Sequence, residues 1–294
     1  PQILFAMASF IDHPFFMTKG ERCTEGCISR ELHASPLLLC GQDTDTRFRR
    51  DAVNNAPDRE WNSVMKRMFA GISRRYDLVN TLMTFGRDSA WRRHAVRTAM
   101  LPAGGTLLDV GSGTGKISFE AKRLDPALTV VALDLTRDMM VVGKRSDRKK
   151  RILWVNADAL ALPFDDCRFD AVTSGYLMRN VPDISRAFQE QLRVVKPGGR
   201  VVCLETSPPD SRLLGPLIRF HFRFVIPLLG GLISGRWDAY RYLPRSTEAF
   251  KTPEELALIM AGEGFTGITY RRFMFGTVAV VAGTRPAVPP AGPH

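Results

Sequence analysis

The sequence has few cysteines, and their spacing does not indicate a cross-linked or metal-bound fold. Five cysteines occur in 294 residues, and three of them, Cys23, Cys27 and Cys40, lie in the first 57 residues. Cys23 and Cys27 are not followed by a second pair at metal-ligand spacing, so no metal site is predicted. An odd number of scattered cysteines argues against a disulfide framework and favours a reducing compartment.

Long uninterrupted apolar runs are also scarce near the start of the chain. Asp12 and His13 interrupt the apolar character of residues 3–16, and no basic region precedes them, so no signal peptide is predicted. Residues 1–57 show little periodicity, and we expect them to form a poorly ordered extension. Residues 286–294 contain four prolines and are expected to form a disordered tail.

Acidic side chains are fewer than basic ones, with 30 Asp and Glu against 41 Lys and Arg and a net charge of +11. The excess lies after residue 57, and a basic domain favours nucleic acid, an anionic membrane or an anionic substrate. The densest basic run, Lys144 to Arg151, contains no aromatic residue. This argues against an RNA-binding surface and favours a solvated connection between two elements.

A glycine-rich turn is present, but it lacks two common nucleotide-binding patterns. A dinucleotide fingerprint needs glycine where the chain has Lys116, and a Walker A loop needs serine or threonine where it has Ile117. Instead, an apolar run ends in Gly111, Gly113 and Gly115, and a helical pattern follows. Such a unit brings backbone N–H groups to a ligand at the carboxyl end of a parallel sheet. A tight turn without a ligand is the alternative.

Two acidic residues accompany this turn. Asp109 comes two residues before the first glycine, and Asp134 ends the next apolar run. A carboxylate at Asp134 can accept hydrogen bonds from both hydroxyl groups of a ribose. The combination resembles the cofactor site of class I S-adenosylmethionine methyltransferases, so S-adenosyl-L-methionine is the expected cofactor.

Apolar runs and helical patterns alternate along the chain, which predicts a parallel sheet covered by helices on both faces. Two consecutive runs at the end predict an antiparallel hairpin at the sheet edge. The expected fold is therefore α/β: a doubly wound, mostly parallel, seven-stranded Rossmann-like sheet with N-terminal helices and a helical lid insertion. The predicted helices are 58–75, 81–100, 116–124, 137–143, 184–195 and 248–262, and the predicted strands after the one ending at Asp134 are 152–155, 169–174, 200–205, 268–273 and 277–283.

Polar residues follow two of the later strands. Asp158 is placed to accept a hydrogen bond from an adenine amino group, and Ser174 ends the fourth strand. Each of them is equally well explained as a helix cap or a turn former. Together with Asp134 and the glycine turn, however, they converge on one crevice at the carboxyl edge of the sheet.

Four blocks between about Val64 and Arg285 carry a more specific resemblance. They are Tyr76-Asp-Leu-Val-Asn80 with Phe85-Gly86 and Trp91, Ser174-Gly-Tyr-Leu-Met-Arg-Asn-Val181, residues 193–207, and Tyr240-Arg-Tyr-Leu-Pro-Arg-Ser246. With these blocks the chain resembles the UbiE/MenG-type C-methyltransferases of menaquinone and ubiquinone biosynthesis. The chain departs from the family at Thr84 and Asp88, where serine and histidine are usual, and at Val79, where methionine is usual.

This resemblance implies C-methylation of a prenylated quinol, converting demethylmenaquinol to menaquinol or acting on 2-polyprenyl-6-methoxy-1,4-benzoquinol. The cofactor-binding residues that we expect are Asp109, Gly111, Gly113, Thr114, Gly115, Asp134, Asp158, Ala159 and Ser174. Arg179 is expected to stabilise the phenolate that develops on the ring, with a surface ion pair as its alternative role. Asn180 and Tyr242 are expected to orient the ring hydroxyls, while Tyr76 and Asn80 close the substrate pocket.

The apolar segment 213–234 is the expected membrane-facing part. Arg219, His221, Arg223 and two prolines make it a poor transmembrane helix, so an interfacial lid or a pair of buried helices is expected. We therefore predict a methyltransferase domain over residues 58–285, with a lid at 207–247. We expect it in the cytoplasm, in peripheral contact with the inner face of an anionic membrane. No nucleic-acid partner is expected, and a homodimer is left open.

Other functions remain open at this stage. One is methylation of a different acceptor, such as a sterol-like lipid, another small molecule or RNA. Another is a scaffold that binds the cofactor without catalysis, which the intact glycine turn disfavours.

Overall fold

The computed structural model describes residues 56–149, 151–209 and 215–287. The expectations for residues 1–55, including the three N-terminal cysteines, and for residues 288–294 lie outside this range.

A seven-stranded sheet forms the centre of the protein, as the sequence predicts. Its strands are β1 (Thr106–Val110), β2 (Thr129–Asp134), β3 (Ile152–Asn156), β4 (Phe169–Gly175), β5 (Val195–Thr206), β6 (Thr266–Phe273) and β7 (Val278–Thr284). The order across the sheet is β3-β2-β1-β4-β5-β7-β6, and β7 is the antiparallel strand, pairing with β5 and β6. The strand order therefore changes direction between β1 and β4, where α/β sheets open a crevice for ligands.

Apolar side chains on both faces explain why β1 is buried at the centre of the sheet. Leu107 and Leu108 are completely buried, and they point to opposite faces because side chains alternate along a strand. Leu107 belongs to the core cluster that contains Trp91, whereas Leu108 belongs to the one that contains Phe188. Helices therefore cover the sheet on both sides.

Between residue 56 and the sheet the chain forms three helices, where the sequence predicted two: α1 (Ala56–Ile72), α2 (Tyr76–Met83) and α3 (Asp88–Thr98). The predicted helix 81–100 is wrong because the chain turns at Phe85 and Gly86, which have φ angles of +51° and +73°. These left-handed conformations end α2 and let α3 start in a new direction.

The remaining helices are α4 (Lys116–Leu124), α5 (Arg137–Ser146), α6 (Ile184–Val194), α7 (Gly215–Ser234), α8 (Trp237–Glu248) and α9 (Pro253–Gly262). The predicted helix 248–262 begins only at Pro253. A capping box sets this start, since the Glu255 side chain accepts a hydrogen bond from Thr252 N (2.7 Å) and the Thr252 side chain accepts one from Glu255 N (3.3 Å).

A third core cluster joins the N-terminal helices to α8. It contains Met65 and Ile72 of α1, Val79 of α2, and Tyr240 and Leu243 of α8. This cluster holds helices that are far apart in sequence beside the carboxyl edge of the sheet, where the cavities described next are found.

Candidate active site

The first cavity, which we call the glycine-loop cavity, lies at the carboxyl ends of β1, β2 and β4. Gly111 and Gly113 line it, and both have left-handed backbone conformations, with φ angles of +67° and +57°. A Cβ atom at Gly111 would lie 2.7 Å from the Leu177 side chain. The glycines therefore allow the chain to turn tightly between β1 and α4 and to expose its backbone at the cavity wall.

Asp134, at the end of β2, also lines this cavity. Its Oδ2 atom accepts a hydrogen bond from Gly113 N and its Oδ1 atom from Thr136 N, both at 2.7 Å. Burial raises the pKa of this carboxyl group. The Thr136 side chain also hydrogen-bonds this carboxylate. Because a carboxylate offers about four acceptor positions, acceptor capacity remains for a ribose hydroxyl.

Asp158 and Ala159 form the part of the cavity that follows β3. The Oδ2 atom of Asp158 accepts a hydrogen bond from the side-chain amide of Asn62 on α1 (2.7 Å), and its Oδ1 atom accepts one from Leu160 N (3.0 Å). Asn62 was not predicted as a site residue. Helix α1 therefore closes over this end of the cavity.

Asp77 of α2 is a second residue that the sequence analysis missed. Its Oδ1 atom accepts a hydrogen bond from the Thr114 hydroxyl (2.8 Å), and its Oδ2 atom lies 3.3 Å from Lys116 Nζ. Thr114 lines the cavity as expected, and Asp77 holds it in place from the N-terminal helices.

Three predicted cofactor residues do not line this cavity. Asp109 is completely buried, and its carboxylate accepts hydrogen bonds from Ser118 N (3.1 Å) and Ser118 Oγ (2.7 Å), so it positions α4 instead. Burial raises its pKa to about 6. The Ser174 hydroxyl lies beside the thiol of Cys203 on β5. Gly115 packs against Trp154, whose ring would lie 2.5 Å from a Cβ atom there.

A second cavity, which we call the arginine cavity, adjoins the first. Tyr76, Arg92 and Tyr176 line both cavities, and Asn80 and Arg179 line the second. Apolar walls complete it, formed by Met83, Trp91, Ile226, Leu243, Met274 and Val278. The result is a mostly apolar chamber with a few charged groups, next to the glycine loop.

Arg179 is buried in this chamber, and its side chain is only 6% exposed. Its guanidinium Nη1 forms an ion pair with Glu205 and donates a hydrogen bond to the Thr206 hydroxyl (2.8 Å). The alternative of a surface ion pair is therefore wrong, because the pair is buried.

Asn180 and Tyr242 are brought together, but only Asn180 reaches a cavity. Asn180 lines the glycine-loop cavity, and its amide donates a hydrogen bond to Tyr176 O (2.8 Å). The Tyr242 hydroxyl donates to Asn180 Oδ1 (3.2 Å), and Tyr242 lies outside the residues that line either cavity. Tyr242 therefore contacts Asn180 and not the cavity itself.

Asp88, Trp91 and Arg92 of α3 line the arginine cavity, although none was predicted as a site residue. Trp91 and Arg92 come three and four positions after Asp88, so both lie on the same face of the helix as Asp88. This spacing is a signal in the sequence that would have grouped them.

The glycine-loop cavity fits S-adenosylmethionine by the chemistry of its walls. It offers glycine backbone for close approach, and Asp134 has acceptor positions for the ribose. Apolar side chains suit the adenine ring, and Leu133, Met139 and Leu177 supply them. The buried hydroxyl of Ser112 lacks a hydrogen-bond partner among the described residues and can contact a polar ligand there.

Comparisons with known proteins identify the family to which the chain is similar. Residues 57–285 match the model of the ubiE/COQ5 methyltransferase family. The chain is 43% identical over 221 residues to the ubiquinone/menaquinone biosynthesis C-methyltransferase UbiE of Desulfotalea psychrophila, covering 75% of this chain and 90% of the relative. It is 44% identical over 221 residues to the demethylmenaquinone methyltransferase of Thermus thermophilus, covering 74% of this chain and 100% of the relative.

Solved structures support the fold. A S-adenosylmethionine-dependent methyltransferase of Thermotoga maritima superposes with a TM-score of 0.55 at 20% identity, covering 75% of this chain and 99% of the other. The family match over residues 57–285 confirms the predicted methyltransferase activity with S-adenosylmethionine as the methyl donor. The chain belongs to the ubiE/COQ5 methyltransferase family.

Proposed function

We propose that this protein methylates a ring carbon of a prenylated quinol. The observation that carries the proposal is the pair of adjoining cavities with the common walls Tyr76, Arg92 and Tyr176. One cavity suits the methyl donor, and the other suits an apolar ring with hydroxyl groups. Relatives named for demethylmenaquinone and for ubiquinone/menaquinone biosynthesis support a naphthoquinol or benzoquinol acceptor.

The methyl donor would be held by the glycine turn, Asp134 and Asp158, and when bound it supplies a methyl group on a positively charged sulfur. The protein then has to place a nucleophilic carbon in line and exclude water, and positioning of this kind can supply much of the rate. In our proposal, Arg179 stabilises negative charge on the quinol oxygen. Asn180, which Tyr242 and Trp61 hold by hydrogen bonds of 3.2 Å and 2.9 Å, lines the glycine-loop cavity.

The distribution of charge argues against RNA as the acceptor. The basic run that begins at Lys144 leads from the end of α5 toward the start of β3. The amino end of β3 lies at the edge of the sheet opposite to the cavities, because the strands β1 to β4 are parallel. Bound RNA at this run would therefore lie far from the methyl donor.

Direct assay tests the proposed function. We expect the enzyme, under anaerobic conditions with S-adenosylmethionine, to add one methyl group to reduced demethylmenaquinol or to 2-polyprenyl-6-methoxy-1,4-benzoquinol, as measured by mass spectrometry. RNA and the oxidised quinones serve as controls and should gain no methyl group. A folded enzyme that binds the donor but modifies neither quinol would refute the proposal.

Helix α7 supports the proposed contact with a membrane. Five of its apolar side chains, Leu217, Phe220, Phe224, Leu228 and Leu232, recur every three or four residues and are 49–67% exposed. By length and composition alone the helix could cross a membrane, which the sequence analysis did not predict, and 17% of its most apolar window is buried. The alternative of two buried helices is therefore wrong. We propose residues 207–247 as a lid on a 58–285 domain, with α7 resting on the cytoplasmic face of the bilayer.

The buried face of α7 is narrow and explains this exposure. Gly230 and Gly231 pack against the Tyr240 and Trp237 rings of α8, which a Cβ atom at either glycine would overlap. The helix thus contacts α8 through its glycines, while the five large side chains named above remain exposed. Arg219 and Arg223 are exposed beside them, which suits anionic headgroups.

Vesicle sedimentation tests this contact. We expect reversible binding to phosphatidylglycerol vesicles that weakens with salt, since each basic residue near such a surface adds about 1 kcal/mol. The double variant Phe220→Ser/Phe224→Ser should release the protein, whereas Leu258→Ser, on the exposed face of α9, should not. Equal binding of both variants, or no binding at either salt concentration, would contradict the proposed contact of α7 with the membrane.

A further inference from the structure

Two buried ion pairs lie at the arginine cavity. Arg179 pairs with Glu205, and Arg92 pairs with Asp88 at 3.5 Å. Both guanidinium groups lie against the ring of Tyr176, at 5.9 Å for Arg92 and 5.4 Å for Arg179 from the ring centre. The cavity therefore has two cations close to one aromatic ring, each with its own carboxylate.

The two carboxylates differ in access to the cavity. Glu205 is 1% exposed, and it accepts hydrogen bonds from its own ion-pair partner and from Thr206 N (2.8 Å). Asp88 is the one carboxylate among the described residues that line the cavity. Arg92 approaches its Oδ2 atom, and no hydrogen bond to its Oδ1 atom is found within the described residues.

We propose that Asp88 binds a ring hydroxyl of the quinol and accepts its proton, which makes the ring carbon nucleophilic. The inference rests on the proposed function. The O–H bond breaks, its electron pair stays on the quinol oxygen, and a new O–H bond forms on Asp88. After the ring carbon has gained the methyl group, it loses its own hydrogen as a proton to solvent. The quinol oxygen then regains the proton from Asp88, so one proton is released per turnover.

The other charged and titratable groups facing Asp88 fit this assignment. These are Tyr76 of α2, Arg92 of its own helix, and Tyr176 and Arg179 after β4. A guanidinium has no acceptor atom, so neither arginine can take the proton. Burial raises the pKa of Tyr176 well above its usual value, and its hydroxyl, which has no hydrogen-bond partner within the described residues, therefore stays protonated.

A purely structural role must be separated from this one, because Asp88 also neutralises buried Arg92. Asp88→Asn keeps the shape and removes the proton acceptor, whereas Asp88→His changes the shape but restores one. Glu120→Gln is a matched control. Glu120 of α4 forms ion pairs with Arg93 and with Arg123, each at 2.6 Å. It lines neither cavity.

The first measurement is binding without the methyl donor. Trp91 lines the cavity, so quenching of its fluorescence can report binding of 1,4-dihydroxynaphthalene, kept reduced, and of 1,4-dimethoxynaphthalene, which has no proton to donate. We expect Asp88→Asn to lower the preference for the dihydroxy compound about tenfold, since hydrogen bonds to charged groups are the stronger ones. Glu120→Gln should leave the preference unchanged.

The second measurement is turnover with the prenyl quinol. We expect Asp88→Asn to lower kcat by about 10²-fold, the lower range for a general base, with unchanged affinity for S-adenosylhomocysteine. Asp88→His should recover part of kcat. If Asp88→Asn keeps both the ligand preference and kcat, Asp88 is not the proton acceptor. If the parent enzyme neither binds the dihydroxy compound nor methylates a quinol, the proposed function itself fails and this inference falls with it.

Discussion

Replacing Arg179 by alanine should lower turnover by about 10²–10³-fold while the affinity for S-adenosylmethionine stays nearly unchanged, the scale expected for losing one donor to a developing oxyanion. The guanidinium lines the arginine cavity and not the glycine-loop cavity. A phenol has a pKa of about 10, so little of a quinol is ionised at neutral pH. A fixed cation beside the ring lowers the free energy of the phenolate.

The pH dependence distinguishes this role from a structural one. Activity of Arg179→Ala should rise as the pH approaches the pKa of the phenol, because the missing cation matters less once the quinol ionises by itself. Arg179→Lys keeps the charge and loses the planar fork, so it separates charge from geometry. An alanine variant that turns over like the parent across this pH range would contradict the assigned role.

Loss of stability needs its own control, because the alanine variant leaves the Glu205 carboxylate buried without its ion-pair partner. Breaking a buried ion pair from one side typically costs about 3–5 kcal/mol of folding free energy. The double variant Arg179→Ala/Glu205→Gln removes this unpaired charge. We expect it to unfold at a higher denaturant concentration than the single variant and to remain equally slow. Recovery of turnover in the double variant would show that the defect came from Glu205.

Replacing Asp134 by alanine should weaken S-adenosylmethionine binding by at least tenfold in calorimetry. A hydrogen bond to a charged group contributes about 1.5–3 kcal/mol, and we propose that this carboxylate accepts at least one from the ribose. The carboxylate also fixes the glycine loop through Gly113 N and Thr136 N. The variant therefore loses both the ligand contact and part of the loop's support.

Asp170→Ala provides the matched control. Asp170 also accepts hydrogen bonds from backbone and side chain, at 2.7 Å from Thr106 N and from Thr106 Oγ1, but at the opposite edge of the sheet. It should lower the denaturation midpoint without changing donor affinity. Unchanged affinity in a well-folded Asp134→Ala variant would remove Asp134 from the site.

Local sequence was sufficient for the part of the fold that contains the glycine turn. The strand, the turn and helix α4 are contiguous, and the parallel sheet brings Asp134 and Asp158 to the same edge as the turn. Side-chain direction was harder to predict. Asp109 and Ser174 lie in strands beside this edge, yet their side chains point to Ser118 and Cys203, because alternate residues of a strand face opposite ways.

The cavity walls that the sequence did not reveal come from the helices α1, α2 and α3, which precede the sheet. Asn62 meets Asp158 across 96 residues, and Asp77 meets Thr114 across 37. No pattern within one element encodes such a contact. The sequence by itself therefore determined the α/β sheet and its glycine turn, since periodicity and turn chemistry act over a few neighbouring residues. Only the tertiary structure decided that Asp88 and Arg92 face the arginine cavity, because that depends on how α3 packs against the sheet.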